Sequence, residues 1–316
     1  MNKNAITAAA ALTALAAVCA WGVWTYEGEW GSQGTGDGEF DTPTAVAVSP
    51  YGGVYVADRR NHRIQYFSRS GSFRGKWGKK GTKPGELWYP EGVAVARGGN
   101  VYVADTSNHR VQLFTATGSY LDYWGGYGAA VGNFKWPGGI DASFWGKVYV
   151  ADTNNDRVQY LTRLYGVEGA WGTHGGGPGQ FNRPADVACG PNGYVYVVER
   201  ENRRVQYFTR AGSFLGMWGQ FGRPRGIAVA PDGTVFVADA GNHRIQYFTP
   251  AGSYLGGWGS SGHGPGQFNN PCGVAVSRTG ARVYVADTDN QRVQYFNRNE
   301  PAVAPTSLGS LKALFR

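Results

Sequence analysis

The chain has 316 residues with 50 Gly and 15 Pro, a formal charge of +8 and a pI near 9.3. That much Gly and Pro, with no long helical periodicity, excludes a helical bundle and points to a turn-dense all-β chain. The basic balance admits nucleic acid, an acidic polymer or an anionic surface as partner classes.

Residues 1–20 stand apart. Lys3 precedes an uncharged, Ala-rich run from Ala5 to Ala20 that ends in Val18-Cys19-Ala20. An apolar stretch closing on small residues reads as a signal peptide cleaved after Ala20. An uncleaved membrane anchor and a lipidated Cys19 are the two rival readings. All three put the rest of the chain outside the cytoplasm, secreted or periplasmic, with a membrane reached only through an uncleaved N-terminus.

From residue 21 the chain repeats itself. Trp-Gly pairs at Trp30, Trp77, Trp124, Trp171 and Trp218 follow one another by 47 residues, and Trp258 follows by 40. A period of that size marks an array of small supersecondary units. Each copy has an acidic strand end: Asp58, Asp105, Asp152, Glu199, Asp239 or Asp287. Asn and Arg follow, then an alternating strand such as Arg63-Ile64-Gln65-Tyr66-Phe67. A Gly turn leads to the Trp-Gly strand, and a loop runs through Pro into a small apolar strand such as Pro90-Glu91-Gly92-Val93-Ala94-Val95. Alternating segments punctuated by Gly and Asn are strands joined by turns, four to a unit, which is one propeller blade.

The sixth unit stops after its third strand, at about Asn299. The missing piece stands at the other end, where Thr25-Tyr26-Glu27-Gly28-Glu29-Trp30-Gly31 aligns with Ser72 to Gly78. The N-terminal strand, residues 24–31, is therefore expected to complete the last blade and close the ring, which removes the seam where unsatisfied edges would lie. The propeller is assigned residues 21–299. Residues 300–316 form a Pro-containing tail in which Leu308, Leu311 and Phe315 share one face of a short amphipathic turn.

The pattern resembles the NHL repeat over about residues 24 to 299. The resemblance implies a six-bladed β-propeller, in agreement with the strand count. In the peptide-amidating lyases similar to this repeat, zinc-binding His residues follow the Pro that opens the inner strand. The matching positions here are Thr44, Glu91, Gly138, Ala185, Arg225 and Cys272, and none is His. The resemblance to those enzymes therefore carries no zinc set.

Whatever occurs in every copy is architecture, so candidate sites are the departures, on the face where the Trp-Gly loops and the Asp-to-Arg turns emerge. The repeated Asp and Arg are read as turn pairs. His62, His109 and His243 share one slot, and His174 and His263 lie in Trp-Gly loops. Spread around a ring, these five read as polar turn residues rather than ligands converging on one ion. Cys189 and Cys272 sit in non-adjacent blades and read as small core residues.

Three departures remain. Asp141 and Asp186 replace small inner-strand residues and, with Glu91, occupy blades 2 to 4, a hard-oxygen set for calcium or another divalent metal. Trp88, Tyr89, Tyr127 and Trp136 crowd blades 2 and 3. Arg183, Arg200, Arg203, Arg223 and Arg225 crowd blades 4 and 5. An aromatic patch beside an Arg-rich rim is a contact surface for a protein, peptide or glycan. The blade 5 loop, Gln220 to Pro224, is seven residues shorter than its blade 4 counterpart, so one wall of that face should sit lower. The expectation is an interaction scaffold with no catalytic residues. A metal-dependent lyase or hydrolase at the channel mouth is the alternative. RNA or polyanion binding comes third, disfavoured because nucleic acid does not accord with export.

Overall fold

The computed structural model describes residues 23–299 except 165. Twenty-four strands form six four-stranded antiparallel sheets, each one blade. The inner strands are Pro43–Val48, Gly92–Val95, Pro137–Ala142, Pro184–Cys189, Gly226–Val229 and Pro271–Val276. They surround a central channel. The N-terminal strand Val23–Trp30 pairs with Arg292–Asn299, from Val23 opposite Asn299 to Trp30 opposite Val293, and supplies the outer strand of the last blade as expected. Both ends of the described chain therefore leave from the face opposite the Trp-Gly loops. The expected leader (residues 1–20) and the tail (300–316) lie outside the described residues.

The middle strands of each blade form because they alternate between two blade faces that are both buried against neighbouring blades, whereas outer strands such as Tyr120–Gly125 are largely exposed. Val54, Val56, Val101, Val103, Val195 and Val197 have no exposed surface. The apolar core is six clusters, each drawn from two adjacent blades, such as Ile64, Trp77 and Val101 between blades 1 and 2. Blades 6 and 1 meet in the same way, with Phe40 and Val56 against Tyr284 and Val293. Outer-strand glycines make room for tyrosine rings. A Cβ on Gly75 would stand 2.5 Å from the ring of Tyr66, and a Cβ on Gly169 would stand 2.5 Å from the Tyr160 hydroxyl.

The acidic strand ends organise the loop face. Asp105 is fully buried, and its Oδ1 accepts the Trp88 amide at 2.7 Å. Its Oδ2 accepts Asn108, Arg110 and Gln112, each at 2.8 Å. Arg110 then donates to the carbonyls of Thr82, Lys83 and Glu86, each at 2.9 Å. One ion pair thus ties a turn to the whole preceding Trp-Gly loop, and the same arrangement holds Asp58 to Arg63 and Asp287 to Arg292. Burial pushes the Asp58 and Asp105 carboxyls up, against these donors, which pull them down. The repeated Arg are therefore structural, as the sequence implied.

Blade 5 departs at its short loop. Phe221 takes the anchor place that Phe40, Leu87, Phe134, Phe181 and Phe268 hold elsewhere. Arg244 keeps Asp239 at 3.2 Å but reaches no loop carbonyl among the described residues, and its side chain is 39% exposed.

Candidate functional site

The channel opens on the loop face as a cavity of about 570 Å³. Its charged lining is Arg59, Arg183, Arg200 and Arg225 together with Glu91, Asp141, Asp186 and Asp289, and Trp136 stands on its rim.

In four blades the residue before the inner-strand Pro edges this mouth: Thr42, Trp136, Arg183 and Asn270. Tyr89, Trp136 and Arg183 hold φ of 51°, 48° and 53°, a left-handed conformation that bulky side chains adopt only under constraint. The constraint comes from the preceding blade. The Tyr89, Trp136 and Asn270 amides donate to Nδ1 of His62, His109 and His243 at 3.1, 3.2 and 3.1 Å. In blade 3 Asp156 takes the His slot and accepts the Arg183 amide at 2.7 Å, and in blade 6 Gln291 accepts the Thr42 amide at 2.6 Å. Burial lowers the His62 and His109 pKa, which keeps the imidazoles neutral and able to accept. The three slot histidines are blade-to-blade latches. Arg203 occupies the same slot in blade 4 and faces the shortened loop of blade 5.

The carboxylates do not converge. Glu91 pairs with Arg59 at 2.9 Å. Asp141 accepts its neighbour Ala142's amide and, across the blade gap, the Cys189 amide, both at 2.8 Å. Asp186 repeats this one blade on, with Val187 at 2.8 Å and Ile227 at 3.0 Å. A Cβ on Gly139 would clash with Asp186, so that glycine makes room for the bridge. Burial raises both carboxyls, and Asp186, with Asp141 beside it, is pushed up to about 8. Among the described residues no three His, Cys, Asp or Glu side chains gather to hold a metal. Cys189 and Cys272 are free thiols, and burial raises both.

The aromatic candidates split. Trp88 is partly buried, with its indole N–H shut from solvent, and Tyr89 packs its ring on His62 at 4.5 Å. Tyr127 and Trp136 are 64% and 43% exposed and clasp His109 between them, at 5.0 and 4.6 Å. Trp136 alone of the four lines the channel mouth, where Arg183, Arg200 and Arg225 also stand. Arg203 and Arg223 lie outside that lining.

The NHL-repeat family model matches residues 40–67, 87–114, 221–248 and 268–296, which are units of this architecture. The chain is an NHL-repeat six-bladed β-propeller. It is 43% identical over 49 residues to the B-box type zinc finger protein ncl-1 of Caenorhabditis elegans, and 46% identical over 44 residues to protein lin-41 of the same organism. These stretches cover 16% and 14% of this chain and only 6% and 4% of the relatives. Among solved structures, the virginiamycin B lyase of Staphylococcus aureus superposes with a TM-score of 0.60 at 14% identity, over 88% of this chain and 100% of that one. The gluconolactonase XC5397 of Xanthomonas campestris gives 0.61 at 11% identity, over 88% and 98%. Identities this low establish the shared fold alone.

Arg59 and the latching role of the histidines escaped the sequence reading. A signal was present for both. Arg59 and Glu91 are departures at positions that face each other across a blade gap, and a bulky residue before Pro demands a partner for its strained backbone.

Proposed function

We propose that this NHL-repeat propeller is an extracytoplasmic interaction scaffold that recognises a protein, peptide or glycan through its loop face. One observation carries the reading: the exposed Tyr127–His109–Trp136 group runs into an Arg-lined channel mouth. Rigid aromatics beside guanidinium groups are the composition of binding hot spots. The channel carboxylates support the same view, since Asp141 and Asp186 spend both oxygens on backbone amides and Glu91 is paired. A metal-dependent lyase or hydrolase would have to free them first, and elemental analysis of the purified chain reads that directly.

Val23 and Asn299, where the described residues begin and end, stand on the face opposite the loops. The test is to immobilise the chain, identify what it retains from the extracytoplasmic fraction, and titrate that partner against Trp136→Ala and Tyr127→Ala. A loss of about 2 kcal/mol or more at either position is expected. Full affinity in both variants would move the interface off this face.

A further inference from the structure

We propose that Arg200 and Arg225 are two arms of a binding site for an oxyanion, a carboxylate or phosphate group carried by a ligand that enters the channel mouth. The proposal rests on the loop face being the recognition surface and names the chemistry recognised there.

The argument comes from the repeat. In two blades the Thr after the acidic strand end reaches the next blade's inner-strand Pro. Thr106 donates to the Pro137 carbonyl and Thr288 to the Pro43 carbonyl, both at 2.8 Å. Arg59 in blade 1 holds the same position and bonds Glu91, the residue after Pro in blade 2, at 2.9 Å. In blades 4 and 5 those two positions are Arg200 and Arg225. A guanidinium therefore stands where the equivalent pair has its carboxylate, and the pair lacks its negative member.

Among the described residues no carboxylate hydrogen-bonds either guanidinium. The Nε groups of both Arg200 and Arg225 are shut from solvent with no hydrogen-bond partner among the described residues. Glu201 approaches Arg200 at 3.5 Å and Arg223 at 3.7 Å, at the edge of ion-pair reach, so one peripheral carboxylate serves a group that also includes Arg183 and Arg225. Burial, then Arg225 and Arg223, disfavours the charge on Arg200. Asp186 lines the same channel, but burial keeps it protonated near neutral pH. Half-buried like charges that share one peripheral carboxylate cost stability unless a further counterion relieves them. Two guanidinium groups side by side present several N–H donors to one oxyanion. The cavity of about 570 Å³ admits a side chain or a small organic acid, with Trp136 on its rim to cover an attached apolar group.

The test is thermal unfolding of the full chain against inorganic phosphate and, separately, succinate, with chloride holding ionic strength constant. A saturable rise in Tm is expected with at least one of them, about 5 °C at a hundred times Kd. A response to succinate alone identifies a carboxylate site, and a response to phosphate alone a phosphate site. Arg225→Glu restores the blade 1–2 pair: it should raise Tm without anion and weaken the saturable response at least tenfold. Arg225→Met weakens that response without adding a carboxylate, and guards against a Glu variant that misfolds. No saturable shift with either anion overturns the proposal, as does a shift undiminished in both variants. Partner capture through Tyr127 reads out separately, so an anion-silent chain that still loses its partner in Tyr127→Ala sinks this site and leaves the scaffold standing.

Discussion

The shortened loop of blade 5 sets up an internal comparison. Asp105→Ala and Asp239→Ala delete the same carboxylate from two copies of one network, yet their costs should differ. Without Asp105, the Arg110 guanidinium stays in the interior, where its side chain is 8% exposed, with three carbonyl partners but no counter-charge. Removing one member of a buried ion pair costs about 3–5 kcal/mol. Without Asp239, Arg244 is already 39% exposed and can turn to water. What remains is the unmet Gly222 amide and the Gln246 and Asn242 side chains, a loss of about 1–3 kcal/mol. Denaturant unfolding followed by Trp fluorescence should place the Asp105→Ala midpoint below that of Asp239→Ala by an amount equivalent to about 2 kcal/mol, with unchanged slopes. Equal losses would mean that the carbonyl-lined burial of the arginine adds nothing to the pair.

The other predictions concern closure and pH. Deleting residues 21–31 removes the outer strand of the last blade and exposes Phe296 and Val293, so the variant should aggregate or unfold at much lower temperature; an unchanged Tm would refute ring closure by this strand. Asp186 titrates at about 8 in the fold against an ordinary value of 3.8, so its stabilising contribution is complete below about pH 4 and is lost as pH rises through 8. The full shift corresponds to at most about 6 kcal/mol. Asp186→Asn should flatten the decline between pH 5 and 9 in urea titrations, and a slope as steep as wild type would assign the dependence to another group.

The fold was legible because periodicity reports on every blade at once. Tryptophan spacing gave the count, and the orphan strand at Thr25 to Gly31 gave the closure, since a pairing edge left empty at one end must be filled from the other. The single-residue departures were harder, because a side chain's role in a ring is decided by the neighbouring blade. Asp141 and Asp186, read with Glu91 as an oxygen set near the channel, reach sideways to amides of the next inner strand. His62, His109 and His243 had a visible common slot, but their purpose lies 27 residues on, in backbone that the slot residue holds in a strained turn.

The same reasoning separates the two arginine populations that composition merges into one positive charge. Arg63, Arg110 and Arg292 recur with their acidic partners and are spent inside the loops. The Arg200–Arg225 combination occurs once, at facing positions that another pair of blades fills with opposite charges, and neither Nε has a hydrogen-bond partner among the described residues. An unmatched charge in a repeat is informative because the matched version elsewhere in the ring shows that the scaffold could have carried it. What the fold leaves unneutralised there remains available to a ligand.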